Sequence, residues 1–306
     1  MRAVRIHAYG GPEIAHIEDA ETPRPGAGEV LVKVAAAGVN PVDWKIREGY
    51  LAAMVPLAFP ITLGNEFAGT VEALGPGVEG FAVGERVHGS TGMVGSFAQY
   101  AVANAASIAR IPDGIGFVEA AAIPVAATTS AAALTAGEVA AGTRVLVHSA
   151  AGGVGSLFLQ LAKQRGAHVV ALTSPATIDY VKELGADEVI DRTGDWAASV
   201  APVDVVFDAF GGPAQERSWP LLKPGGIMVS LVQPPSPDKA AELGVRGTMV
   251  FGGPNGAELA AIDALIASGK VRIRIAREFP FEQTIEALAA SATGTTVGKL
   301  VVTMGS

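Results

Sequence analysis

The chain contains no cysteine. Disulfides, thiolate zinc ligands and cysteine nucleophiles are therefore excluded from its chemistry. Histidine is scarce, five in 306 residues, and none stands at metal-ligand spacing from another; His148 reads as a strand-end residue. No basic block interrupts a chain with 22 basic and 30 acidic residues and a formal charge of −8. That balance argues against general nucleic-acid binding. A long leucine-rich run is also missing. The least polar stretch, residues 116–134, carries Glu119, Pro124, Thr128, Thr129 and Ser130 on an alanine background, the texture of a packed helix rather than a membrane span. The first eight residues alternate like a strand and lack the order of a signal peptide, so a soluble, cytoplasmic protein is expected.

What is present is globular. Apolar residues make up 49% and charged ones 17%, and 38 Gly and 19 Pro supply many turns. A chain of 306 residues is long enough for about two domains. Residues 1–117 are short alternating runs, such as 30–35, 68–74 and 99–102, punctuated by Gly10-Gly11-Pro12 and Gly75-Pro76-Gly77. They predict a compact, barrel-like β region. From 118 to 265 helical patterns alternate with apolar strands at 144–148, 168–172, 188–190, 203–208 and 227–231, which predicts a doubly wound parallel sheet. Residues 266–306 return to strands with one amphipathic helix near 281–290. The expected fold is α/β plus β, one domain inserted into the other, with substrate in the cleft between them.

The most specific local signal lies at 145–156. An apolar run (Val145 to Val147) leads into a small-residue turn, and Val154, Leu157, Phe158 and Leu161 then fall on one helical face. Strand, glycine turn and helix in that order hold a dinucleotide pyrophosphate, with Gly152, Gly153 and Gly155 admitting the phosphates to the helix N-terminus. An acid about 20 residues beyond such glycines binds the ribose 2′-hydroxyl of NAD. Here Thr173 and Ser174 occupy that place, hydroxyls that tolerate a 2′-phosphate, so the expected cofactor is NADPH. The same two residues also read as a helix N-cap before Pro175. A short-chain dehydrogenase is excluded, since Tyr9, Tyr50, Tyr100 and Tyr180 are followed four residues on by Glu13, Met54, Asn104 and Leu184 rather than Lys.

Two segments, GVNPVDWK at 38–45 and LGNEFAGTV at 63–71, resemble the medium-chain dehydrogenases and reductases. The likeness continues through GERV at 84–87, GSFAQY at 95–100, AAGGVG at 150–155, LGAD at 184–187, FDAFGG at 207–212 and GKLV at 298–301. In the zinc enzymes of that family a cysteine ligand stands at the position of Asn40 and a histidine ligand at that of Asn65. The cysteine-rich structural-zinc loop is missing too, so no metal site is expected. The chain is most similar to the zinc-free branch of quinone oxidoreductases and enone reductases. That resemblance implies a GroES-like barrel, a Rossmann domain, a homodimer joined through the nucleotide domains, and hydride transfer to quinones, enones or enals.

On this basis Asn40, Lys45 and Tyr50 are the candidate catalytic residues. Asn40, Thr129, Ala151, Gly152, Gly153, Val154, Thr173, Ser174, Phe210, Phe251, Gly252, Gly253 and Lys299 are the candidate cofactor contacts. Each has a plainer role beside it. Asn40 also suits an Asn-Pro turn, Thr129 a hydroxyl bonded within its helix, and Lys45 a solvated surface charge. Asp43 is expected to organise its loop; Tyr100 and Glu66 look structural. Tyr50, Leu51, Met54, Phe59 and Phe251 are expected to form an apolar lining. A metal-free hydride site leaves few side chains to recognise, so a non-catalytic NADPH-binding regulator or structural protein on the same fold stays open beside the enzyme.

Overall fold

The computed structural model describes residues 1–305. The chain forms two compact units, Met1–Val125 with the residues from Pro254 onward, and Ala126–Gly253.

The first unit is built on one long strand, Glu29–Val39, whose apolar residues are nearly all buried. Glu66–Leu74 pairs antiparallel along one edge of it. The other edge is shared: Tyr100–Asn104 pairs with its first half and Lys299–Thr303 with its second. Arg86–Ser90, Ile108–Arg110 and Ile275–Pro280 complete a seven-stranded sheet. A smaller sheet sets Arg2–Ile6 between His16–Asp19 and Ile61–Thr62. Val4, Ile6, Val32, Val34, Phe67, Phe97, Phe279 and Leu300 form part of the common core. The helix Thr284–Ala292 lies within the segment expected to hold an amphipathic helix, and its Ala287 and Leu288 are buried.

The second unit is a six-stranded parallel sheet. In spatial order it runs Glu188–Asp191, His168–Thr173, Arg144–Val147, Val203–Asp208, Leu222–Ser230 and Arg246–Met249. That is the doubly wound order 3-2-1-4-5-6, whose reversal beside the first strand creates a ligand crevice at the strand ends. Both faces are covered, which is why its strands are nearly continuous in apolar residues. Phe158 of the helix Gly153–Gln164 stacks on Phe207, ring centroids 4.1 Å apart, on one face. Leu146, Val170, Val206, Met228 and Trp219 pack together on the other.

The nucleotide part was expected to run from 118 to 265, whereas the boundaries between the units fall after Val125 and after Gly253. The helix Gly256–Ala267 belongs to the first unit for a physical reason. Its Asp263 bonds buried His88 at 2.8 Å, and its first glycine lies so close to the Ile108 carbonyl that a Cβ there would collide with it. Helical texture alone does not reveal which sheet a helix covers.

Candidate active site

Asn40 ends the long strand in extended backbone and precedes Pro41, the first residue of the helix Pro41–Arg47. Its backbone N–H donates to Asp43 Oδ2 at 2.7 Å. The side chain turns into a buried polar network. Asn40 Nδ2 donates to Glu66 Oε1 at 2.7 Å and to Asn65 Oδ1 at 3.1 Å. Lys299 Nζ donates to Asn40 Oδ1, and to Glu66 Oε1 at 2.6 Å. The second Glu66 oxygen accepts the Val125 N–H at 2.7 Å. Every contact to Glu66 comes from a donor, so the group is a carboxylate neutralised by the Lys299 ammonium, both almost wholly buried. Asp43 lies beside this pair and is itself fully buried. Burial, aided by the Glu66 charge and opposed by the Asn40 N–H and Lys299, pushes its carboxyl up to about 8.

Sequence thus names Asn40 and Lys299 separately, and the structure brings them together with Asn65 and Glu66. It also spends their donors: both amide protons of Asn40 and two of the three ammonium protons of Lys299 serve the network. Lys45 and Tyr50 gather elsewhere, on Trp44. The Lys45 ammonium lies 5.7 Å from the Trp44 ring centroid, and burial holds its pKa below the usual lysine range. Tyr50 meets the same indole edge-on at 6.0 Å and is 69% exposed, with Met54 and Phe59 exposed further along the segment.

In the second unit Ser149 follows the first strand with φ of 52°, the left-handed region that a non-glycine residue seldom adopts. The turn it starts is closed by the Gly152 N–H on the Ser149 carbonyl at 2.9 Å. No side chain caps the helix that begins at Gly153. Its first N–H groups therefore remain available for an anion. Gly155 has the opposite constraint. A methyl there would strike the Ser149 carbonyl oxygen, so glycine is what lets helix and strand meet. The residues present fit a dinucleotide pyrophosphate.

Thr173 ends the second strand and Ser174 follows it, and both hydroxyls face Thr177 Oγ1, at 2.6 and 3.0 Å. Thr177 gives its own proton to the Ser174 carbonyl at 3.1 Å. Parallel pairing of Thr173 with Asp191 then sets Arg192 next to them, its N–H on the Thr173 carbonyl at 2.8 Å. Arg192 is exposed, and its guanidinium lies 5.9 Å from the Phe210 ring centroid. Sequence reading missed this residue, because a basic group 18 positions after Ser174 becomes its neighbour only through strand pairing.

Phe210 sits on a loop held by buried Asp208, whose Oδ1 accepts the N–H groups of Phe210 and Gly211 at 3.0 and 2.9 Å. His148 Nδ1 meets the same oxygen at 3.0 Å, and its ring stacks on Phe210. Although Ser218 Oγ lies 3.0 Å from His148 Nε2, serine, histidine and aspartate are all fully buried and Ser218 bonds back to the Ala214 carbonyl. The group shapes the loop rather than meeting a substrate. Gly252 lies against the helix Pro124–Ala136, where a methyl would collide with Thr129 and Thr128, so the Phe251–Gly253 loop and Thr129 adjoin.

A parallel sheet with an uncapped glycine turn at its switch point, in one chain with a β unit of this topology, defines a nucleotide-dependent oxidoreductase class. Residues 26–113 match the family described as alcohol dehydrogenase GroES-like domain, and residues 184–302 that described as zinc-binding dehydrogenase. The chloroplast envelope quinone oxidoreductase homolog of Arabidopsis thaliana is 33% identical, over 99% of this chain and 98% of its own. An NADPH-dependent alkenal/one oxidoreductase of the same plant is 34% identical, over 99% of this chain and 79% of its own. The solved quinone oxidoreductase of Coxiella burnetii superposes with a TM-score of 0.93 at 32% identity, covering 100% of this chain and 99% of that one. A mycobacterial protein solved with NADPH gives 0.89 at 29%, covering 99% and 100%. The chain belongs to the medium-chain dehydrogenase/reductase family, in its zinc-free quinone oxidoreductase branch, and is an oxidoreductase.

The zinc in one family description does not suit the residues here. Asn40 and Asn65 offer neutral amides, and the one carboxylate among them, Glu66, is already neutralised by Lys299. A dication would have to displace that ammonium to reach a single anionic ligand. Among the described residues no group of three His, Cys, Asp or Glu side chains converges elsewhere.

Proposed function

We propose that the chain is an NADPH-dependent reductase of quinones or α,β-unsaturated carbonyls. The observation that carries this is the uncapped amino terminus of the helix Gly153–Gln164 at the sheet's switch point. Ala151, Gly152, Gly153 and Val154 would hold the pyrophosphate, and Thr129, Phe210 and Phe251–Gly253 would line the rest of the nucleotide. When bound, NADPH supplies a hydride. The preference for its 2′-phosphate rests on Arg192, with Ser174 able to turn its hydroxyl outward at the expense of one contact to Thr177. Asp191, the nearby acid, spends its Oδ1 on the Thr193 N–H and hydroxyl, both at 2.8 Å.

The substrate class is supported by relatives that carry quinone and alkenal reductase names, and by the exposed apolar run Tyr50, Met54 and Phe59. A conjugated carbonyl takes hydride at its β carbon while negative charge grows on oxygen. Stabilising that oxygen needs positioned N–H or O–H donors rather than a Lewis acid. The α carbon then takes a proton from solvent or a nearby acid. A homodimer and a cytoplasmic location belong to the same proposal; no helix among the described residues is long and apolar enough to cross a membrane. No observation favours the non-catalytic alternative.

Fluorescence titration of NADPH and NADH, followed by NADPH consumption with quinones, enals and enones, tests this reading. NADPH is expected to bind at least about tenfold tighter, and Arg192→Gln to erase most of that margin without touching NADH; a charge-assisted hydrogen bond is worth about that much. Equal or tighter NADH binding would sink the phosphate assignment. Silence across a broad panel with cofactor bound would sink the reductase.

A further inference from the structure

The buried network of the first unit has a direction, set by its two charged members. Lys299 can only donate, so the Asn40 atom facing it is Oδ1. Asn40 Nδ2 therefore faces Glu66 and the Asn65 side chain, and the Asn65 atom that receives it must be Oδ1. This leaves Asn65 Nδ2 turned out of the network with two protons and, among the described residues, no hydrogen-bond partner. It is not one of the sealed, unpaired polar atoms either; Asn65 keeps 6% of its surface exposed. The residue is firmly placed, because its backbone carbonyl accepts Ser90 Oγ at 2.7 Å and the Thr91 N–H at 3.1 Å. An amide of fixed position and fixed polarity, with its donor end open, is built to meet an acceptor atom.

We propose that Asn65, through Nδ2, donates to the carbonyl oxygen of the substrate, and that Asn40 and Lys299 are positioning residues that orient it. The proposal rests on the reductase reading above and names the group in contact with the substrate's oxygen. No bond to Asn65 forms or breaks. Its amide stays neutral while the oxygen gains charge as the β carbon gains hydride, and the hydrogen bond strengthens accordingly. Asn40, whose two amide protons are already spent, does not have this capacity, although sequence makes it the more obvious donor.

The test compares Asn65→Thr, which keeps a hydroxyl donor, with Asn65→Val, which has the same shape and none. Wild type and both variants are assayed with an enone, and the C=O stretch of bound cyclohexanone is recorded by difference infrared spectroscopy. Loss of an oxyanion donor costs about a hundredfold or more, so Asn65→Val should lose that much kcat/KM while binding NADPH as wild type does. Asn65→Thr should recover a large part. The carbonyl stretch should be lowered in wild type and Asn65→Thr but not in Asn65→Val. Wild-type turnover by Asn65→Val, or a stretch identical in wild type and Asn65→Val, overturns the proposal. If wild type reduces no quinone or enone, the reductase reading fails and the stretch still decides the donor. If Asn65→Val does not fold, Asn65→Asp carries the same comparison, keeping an oxygen toward Asn40 and replacing the open donor by an acceptor.

Discussion

Asp43 is one carboxyl whose state the fold changes outright. It sits at the third position of a short helix, which suits an acid that receives the N-cap N–H, and sequence assigned it that loop-organising part. Complete burial, with Oδ1 left without a partner, instead raises its pKa to about 8 from an ordinary value of 3.8. A folded pKa above the unfolded one means that the folded state holds the extra proton. The contribution of Asp43 to stability is therefore full below about pH 4 and drains away as pH climbs to about 8. Urea unfolding of Asp43→Asn across that window should give a flatter stability profile than wild type; parallel profiles would show that Asp43 ionises freely in the folded protein. Residue identity was legible here and residue state was not. The motif names Asp43, whereas its charge depends on neighbours that arrive from residues 66 and 299.

At the scale of elements, strand, glycine turn and helix at 144–164 were legible because every interaction that defines them is local. The apolar run, the small residues and the helical face sit within one short stretch of chain. What the pattern left open was how tightly the helix seats. Gly155 answers that, since the helix passes against the Ser149 carbonyl. Gly155→Ala should displace the first turn, costing roughly 1–3 kcal/mol of stability as overpacking does, and weaken nucleotide binding as the N–H groups shift. Denaturant melts and an NADPH titration measure both; wild-type values in each would mean that the turn yields without cost. The Arg192 position shows the opposite case. Its place beside Ser174 depends on a strand register, and single-residue periodicity does not choose one.

For the molecule as a whole, the question is what neutralises the centre of the site. The charge beside Glu66 comes from Lys299, 233 residues away in sequence, and a dication there would have to displace that ammonium. Exhaustive treatment with a strong chelator should leave turnover and thermal midpoint unchanged; loss of either that added zinc restores would overturn the no-metal assignment.

The sequence by itself determined what could not happen. With no cysteine, thiolate chemistry is excluded by residue type alone, and the family resemblance, which puts asparagines 40 and 65 where zinc ligands would stand, leads to the expectation of no zinc centre. It also determined the parallel sheet and the glycine turn, because both are written in local periodicity and residue size. The tertiary structure alone decided which atoms are left to act. A side chain's free donors are what remains after its neighbours have taken theirs, and those neighbours come from strands far apart in the chain. That is why Asn40, conspicuous in the sequence, is spent as a support, while the open amide belongs to Asn65.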